Sequence, residues 1–203
     1  MAATRAPEPT RVLRFWKPYG VLTQFTDPEG RPTLADYIPV RDVYSVGRLD
    51  YDSEGLLLLT NNSALIARLT HPRYAHPKTY LVQVERVPSE ADLDRLRAGI
   101  QLKDGLTRPA KVRLLENPPD LPERTPPIRY RANVPTAWLQ ITLTEGKKRQ
   151  IRRMTAAIGY PTLRLVRVAI GNITLEGLRV GEYRALSQAQ IAALWRSLRS
   201  TDR

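Results

Sequence analysis

The stretch Val46-Gly47-Arg48-Leu49-Asp50-Tyr51-Asp52-Ser53-Glu54-Gly55-Leu56-Leu57-Leu58-Leu59-Thr60-Asn61-Asn62 decides how this chain is read. It passes from a glycine through an Arg-Leu-Asp triplet and an acidic turn into a run of leucines. Arg48 and Asp50 are two residues apart, so an extended backbone presents both side chains on one face and turns Leu49 to the other, toward a core. Gly47 and Gly55 permit sharp changes of backbone direction on either side. Leu56 to Leu59 has the pattern of a strand buried on both faces. A carboxylate and a guanidinium are thus presented together on a short segment tethered to a buried strand. That arrangement serves either chemistry or a structural ion pair.

Taken alone, the residues leave several readings open. An Asp near a Gly is most often a turn residue or a helix cap. Asp50, Asp52 and Glu54 together are also a candidate oxygen-ligand metal site, although the full calcium-loop pattern is missing.

The chain has 203 residues, room for one domain or two small lobes. Its 42% hydrophobic content is that of a folded globular protein. Lys and Arg number 32 against 20 Asp and Glu, a net charge of +12, and 26 of the 32 are Arg. Arginine presents a planar fork suited to phosphate and base edges, so the balance points to a polyanionic partner, nucleic acid. The absence of cysteine excludes disulfides, thiol catalysis and Cys-based zinc sites. No apolar run approaches the ~18 residues of a membrane span. Residues Met1–Thr10 have no apolar centre of a secretory signal and, with Pro7 and Pro9, read as a disordered tail. A cytoplasmic protein without membrane contact is expected. His71 and His76 sit in a Pro-flanked loop and read as surface residues, RNA-facing at most; without other soft ligands they make a poor metal site.

Outward from the central stretch, Arg11 to Trp16 predicts a first strand ending at the Lys17-Pro18-Tyr19-Gly20 turn. Val21 to Phe25 reads as extended, Leu34 to Ile38 as a short helix and Val43 to Val46 as a strand. On the other side, Asn61 or Asn62 caps a helix carrying Leu65, Ile66 and Leu69. Lys78 to Glu85 alternates as a strand with Tyr80, Val82 and Val84 on one face; a core aromatic is the ordinary reading of Tyr80. Ser89 opens a helix that Gly99 ends, and Ile100–Leu102 and Ala110–Leu115 read as strands around a Lys103-Asp104-Gly105 turn. Residues 117–135 hold six prolines in nineteen positions, so they predict a long surface connection, Arg-rich and suited to gripping RNA. Ala137 to Thr144 is a strand. Beyond Glu145-Gly146, five of the seven residues from Lys147 to Arg153 are basic, while Ile151, Met154, Thr155 and Ile158 recur at helical spacing. A basic turn opening a helix offers cations and free backbone N–H groups to phosphates, although a solvated charged face has the same pattern. Leu163 to Ile170 is a strand interrupted by Arg164 and Arg167, Tyr183 to Leu186 is extended, and a last helix carries Ile191, Leu194, Trp195 and Leu198.

Gly47-Arg48-Leu49-Asp50 followed by Ser53-Glu54-Gly55-Leu56-Leu57 resembles the signature of the bacterial pseudouridine synthases that act on ribosomal RNA. In that family the A type modifies the small ribosomal particle, and its B, E and F relatives modify the large one. Lys17-Pro18-Tyr19-Gly20-Val21, Lys78-Thr79-Tyr80 and Glu145-Gly146-Lys147-Lys148-Arg149-Gln150-Ile151-Arg152-Arg153-Met154 resemble three further motifs of the family. Arg149, where many relatives carry His, agrees with the E type, as do Gln24-Phe25-Thr26-Asp27 and Pro126-Pro127-Ile128-Arg129. The resemblance spans Leu13 to Tyr183 and implies an α+β fold: a long, mostly antiparallel sheet with flanking helices, in two lobes around a central cleft. Residues 1–10 are then a tail, 11–186 the catalytic domain and 187–203 a C-terminal helix. The small N-terminal RNA-binding domain of many relatives is not expected.

The resemblance also implies roles. Asp50 matches the nucleophile, Tyr80 lies against the target base, and Arg152 pairs with the catalytic Asp. Arg48 fills the space vacated by the flipped base. Lys17, Lys78, Lys147, Lys148, Arg149 and Arg153 are the expected RNA contacts. Large-subunit ribosomal RNA, free or in an assembling particle, is the implied partner, and the chain is expected to act as a monomer.

The implied reaction breaks the N1–C1′ bond of uridine, turns the base and joins C5 to C1′. It needs a carboxylate, at the ribose or at C6 of the base, but no cofactor and no metal. A carboxylate covered by a base loses solvent, which disfavours its charge, and a close Arg opposes that loss. The target base must first leave its stack. Two other functions fit the composition. A non-catalytic RNA-binding or ribosome-assembly factor would use the charge without needing Asp50, Tyr80 and Arg152 together. A metal-dependent nuclease would use Asp50, Asp52 and Glu54.

Overall fold

Residues 8–129 and 133–199 are described by the computed structural model; residues 1–7 of the expected tail lie outside them, as do 130–132 of the proline-rich connection and 200–203. The leucine run is the middle of a sheet. Its strand β3 (Glu54–Thr60) buries all seven residues. Full burial stabilises each leucine by about 1.5–3 kcal/mol, so this strand has little freedom to shift. The sheet order among the described residues is β11 (Tyr183–Ala185), β1 (Val12–Lys17), β3, β9 (Thr162–Ile170), β4 (Lys78–Glu85), β8 (Thr136–Leu143) and β7 (Lys111–Leu114). The short β2 (Tyr44–Ser45) pairs with β3, and β10 (Ile173–Thr174) with β9.

Among the described residues every strand pairing in this sheet is antiparallel except β3 with β9, which run parallel with Glu54 opposite Val166 and Gly55 opposite Arg167. Gly55 is required there. A Cβ at position 55 would lie 2.2 Å from the Arg167 carbonyl oxygen and 2.6 Å from its nitrogen, and φ is +110°. Only glycine lets the two strands approach so closely.

Helices pack on this frame. Helix α1 (Ser63–Thr70) is capped by the Asn62 side chain, which accepts from the Leu65 N–H at 3.0 Å. Helix α2 (Glu90–Ala98) opens with a Ser89/Asp92 capping box. Helix α3 (Gln150–Ala157) follows the basic turn, and α4 (Gln188–Arg199) comes last in the chain. One apolar cluster joins Leu56 and Leu58 to α1 and α4. A second, across β3, joins Leu57 and Leu59 to Phe15, Leu34, Val43 and Leu49. A third joins β4, β8 and β7 to α2 and α3. The cleft lies where these halves meet.

Three expectations change. Val21 to Phe25 forms no strand, because Thr23 is engaged in holding the Asp50 loop. The short helix is a single 3-10 turn, Leu34–Asp36, boxed by Thr33 and Asp36. The strands expected around the Lys103–Gly105 turn do not pair with each other. Instead β5 (Gln101–Leu102) pairs with β6 (Gly105–Leu106), while β7 joins the main sheet on β8.

Candidate active site

Asp50 stands on the loop between β2 and β3, and that loop is fixed through its backbone. The Thr23 hydroxyl donates to the Leu49 carbonyl at 2.6 Å and accepts from the Leu49 N–H at 3.2 Å, while the Leu49 side chain is buried. The Ser53 N–H bonds the Asp50 carbonyl at 3.0 Å, and the Gly20 N–H bonds that of Tyr51 at 2.8 Å. From beneath, Arg167 of β9 donates Nε to the Leu56 carbonyl at 2.7 Å and Nη1 to the Arg48 carbonyl at 3.5 Å.

The loop opens on a cleft of about 640 Å³. Arg48 and Asp50 line one wall, residues Thr144 to Ile151 the other, and His76, Lys78, Tyr80 and Arg167 the floor. Tyr80, half-buried in β4, is the direct cross-strand partner of Arg167 in β9 and packs against the third apolar cluster. Tyr80 is therefore part core and part cleft.

The three carboxylates of the central stretch go to different partners. Glu54 is buried in a bidentate pair with Arg164, at 2.9 and 2.8 Å. Asp52 takes Arg149 in a second bidentate pair, at 2.8 and 2.9 Å, and its own carbonyl accepts from Arg152 Nη2 at 2.6 Å. Burial pushes Asp52 upward, but the Arg149 hydrogen bonds and the charges of Arg152 and Arg149 outweigh it and hold the carboxyl below its usual range. Asp50 alone is left free: among the described residues its carboxylate makes no hydrogen bond, and its one ion pair is Arg149 Nη1 at 4.0 Å. Among the described residues no three His, Cys, Asp or Glu side chains converge as metal ligands.

Several expected contacts are placed differently. Arg152 was expected to pair with Asp50; its ion pair is with Asp52, with Nε 3.5 Å from the carboxylate in poor hydrogen-bond geometry. Burial pushes the Arg152 guanidinium down, and Asp52 opposes this. Lys17 cannot reach an RNA phosphate in this conformation. It is 0% exposed, because its ammonium turns inward to the Pro18 and Val21 carbonyls, both at 2.8 Å. Lys147 directs its ammonium to the carbonyls of Asp104, Gly105 and Leu106, and Arg153 forms a bidentate pair with Asp104 at 2.6 and 3.1 Å. These two tie the basic turn to the β5–β6 hairpin and are occupied. His76 is buried, with burial holding it down to about 4, while His71 is exposed. Arg48 and Lys148 are exposed at the cleft, as an RNA contact requires, and Lys78 lies on its floor.

The basic turn owes its shape to Gln150. Its side chain is buried, accepts from the Lys147 N–H at 2.9 Å and donates to Glu145 at 2.6 Å. Arg149, just before α3, adopts the left-handed conformation at φ +49°. This turn aims the guanidinium at the Asp50 loop. Sequence reasoning missed Thr23 and Arg167 as parts of the site and read Asp52 only as a candidate metal ligand. The available signal was Arg164 and Arg167 in an otherwise apolar strand, since charges buried in a sheet require partners.

Comparison with known proteins gives the same direction. Residues 11–157 match the family described as RNA pseudouridylate synthase. Over 176 residues the chain is 58% identical to the ribosomal large subunit pseudouridine synthase E of Vibrio parahaemolyticus, covering 87% of this chain and 74% of that one. It is also 58% identical over 164 residues to the synthase E of Xanthomonas axonopodis pv. citri, covering 80% and 86%. A crystal structure of a pseudouridylate synthase superposes with a TM-score of 0.77 at 30% identity, over 93% of this chain and 75% of that one. With the signature, the sheet and the cleft in agreement, the chain belongs to the RNA pseudouridylate synthase family.

Proposed function

We propose that this enzyme isomerises one uridine of large-subunit ribosomal RNA to pseudouridine, with Asp50 as the nucleophile. The observation that carries the assignment is the free carboxylate. Of the three acids in the central stretch, Asp52 and Glu54 are consumed by arginines, while Asp50 faces the cleft on a loop clamped by Thr23. A preorganised carboxylate that makes no hydrogen bond, with its one cation as far as 4.0 Å away, is what attack at the ribose or the base requires. Tyr80 lies against the flipped uracil. Arg48 enters the space the base leaves in the RNA. Arg152 acts as a positioning residue, holding Asp52 and through it Arg149 beside Asp50. The relatives' names supply the substrate class, large-subunit RNA. The reading includes a chain that acts as a monomer in the cytoplasm, where ribosomes are assembled.

The test uses unmodified large-subunit rRNA transcript in EDTA, with pseudouridine mapped by carbodiimide-dependent primer-extension stops. One new stop, lost with Asp50→Asn, is expected. Pseudouridine formed equally by Asp50→Asn would remove the nucleophile assignment. Intact, bound RNA without a stop would favour a binding factor.

A further inference from the structure

We propose that the floor of the cleft is a built anion subsite, formed by Lys78 Nζ and Arg167 Nη2 with His76 beside them, and that it takes a phosphate of the target nucleotide. The inference rests on the cleft being the uridine site.

The first observation is an unused donor. Arg167 is 3% exposed and lines the cleft, and two of its three nitrogens hold the Leu56 and Arg48 carbonyls. Its Nη2 is buried and has no partner among the described residues. Buried donors without partners are rare, and each one calls for an explanation.

The second observation is charge. Half-buried Lys78 and buried Arg167 are close enough for their charges to interact, and neither has a carboxylate within ion-pair distance among the described residues. Lys78 makes one long hydrogen bond, 3.4 Å to the His76 carbonyl. Burial pushes it down to about 8, and the positive charge of Arg167 adds to the fall. Lys17 is instructive by contrast: Glu54, Asp52 and Asp50 all oppose the effect of its burial. Nothing anionic does this for Lys78. Two like charges held together in a cleft, without a counter-ion, are arranged for an anion that arrives from outside.

The third observation is position. Tyr80 and Arg167 are opposite each other across β4 and β9, and Lys78 precedes Tyr80 by two residues on the same strand. The two cations therefore flank the ring assigned to the uracil. His76 also lines the cleft and is neutral at pH 7, with its Nε2 buried against Gly171, so it adds no charge to the pair.

The test compares binding of uridine, uridine 5′-monophosphate and uridine 3′-monophosphate to the full chain by titration calorimetry at pH 7. One monophosphate is expected to bind about tenfold or more tightly than uridine, about 1.4 kcal/mol. Lys78→Met, which replaces the lysine with an apolar chain of similar length, should remove that excess and leave the affinity for uridine. Lys78→Arg should retain it. Equal binding of nucleoside and nucleotides, an excess that survives Lys78→Met, or no binding of either monophosphate would overturn the subsite. Its failure is separable from that of the functional reading. An enzyme that makes pseudouridine on RNA while ignoring the phosphate refutes the subsite alone. Phosphate binding by a protein that makes no pseudouridine refutes the function alone.

Discussion

Gly55→Ala is the sharpest test of how the central stretch builds the site. The added Cβ would meet three backbone atoms of Arg167, its oxygen at 2.2 Å, its nitrogen at 2.6 Å and its carbonyl carbon at 2.9 Å. These atoms lie in the middle of a sheet and cannot rotate away as a side chain would. Overpacking of this kind costs about 1–3 kcal/mol. Holding a non-glycine residue at φ +110° adds about 1–3 kcal/mol. The sum, about 2–6 kcal/mol, is a large part of the ~5–15 kcal/mol that stabilises an ordinary domain. For a chain of this size it lowers Tm by on the order of 10 °C. Two controls separate the terms. Gly159 has φ +93° and nothing within 4 Å of its would-be Cβ, so Gly159→Ala reports the conformational term alone. Gly146 has neither strain nor a near neighbour, so Gly146→Ala should melt with the wild type. The assay is thermal and urea unfolding of all three variants, with pseudouridine formation measured below each transition. Activity of Gly55→Ala should fall even where it is folded, because displaced Arg167 no longer supports the Arg48 carbonyl. If Gly55→Ala and Gly159→Ala lose equal stability, the close approach of β3 and β9 is not what position 55 requires.

Other outcomes follow from the same geometry. Arg164→Met leaves the Glu54 carboxylate, 3% exposed, unpaired and should cost about 3–5 kcal/mol in urea unfolding, while the double variant with Glu54→Leu should recover most of it. Thr23→Val removes both hydrogen bonds to Leu49 and should lower kcat several-fold with little change in RNA affinity, a split that single-turnover and binding measurements resolve. Lys17 is held down to about 7 from 10.5, so between those values the unfolded chain binds a proton that the folded chain does not. Its contribution to stability therefore rises with pH from about 7 toward 10, by at most about 1.4 kcal/mol per pH unit, with the full penalty present below 7. Lys17→Met should flatten that rise in urea titrations between pH 7 and 9; an unchanged slope would refute the buried assignment.

Elements fixed by local pattern were legible in the sequence. The leucine run, the Asn62 cap and the Ser89/Asp92 box are each determined by nearest neighbours, and each stands where the pattern puts it. What the sequence did not disclose depends on contacts between distant segments. Val21 to Phe25 has a strand's composition, but its Thr23 hydroxyl satisfies Leu49, 26 residues away, instead of a neighbouring strand. Lys17 reads as an RNA contact, yet its ammonium turns inward to the Pro18 and Val21 carbonyls because the segment is packed beside Glu54, Asp52 and Asp50 from further along the chain. The site was half legible for the same reason. Asp50 and Tyr80 stand out in continuous motifs, whereas the pairing of Arg149 with Asp52 joins residues 97 apart.

The arginine excess carries the deeper lesson about reading charge. On composition it describes a surface for a polyanion. In the folded chain many of those arginines serve the protein first: Arg164 neutralises Glu54, Arg149 and Arg152 hold Asp52, Arg153 holds Asp104, and Arg167 braces the Asp50 loop. Each contact removes a guanidinium from the set available to RNA and fixes a piece of the cleft instead. The acids are divided the same way. Asp52, Glu54 and Asp104 each have a cation of their own, and Glu145 accepts from the Gln150 side chain and the Arg108 N–H. Of these acids around the cleft, Asp50 is the one whose carboxylate makes no hydrogen bond among the described residues. An isomerase needs such a division. If Asp50 is the nucleophile, as proposed, a loose arginine beside it would compete with the substrate for its carboxylate, whereas arginines committed to Asp52 and to backbone carbonyls leave Asp50 without a hydrogen bond while keeping positive charge nearby. Among the basic residues lining the cleft, Arg48 and Lys148 are exposed and have no carboxylate partner among the described residues, so the proposed RNA contacts fall to them first.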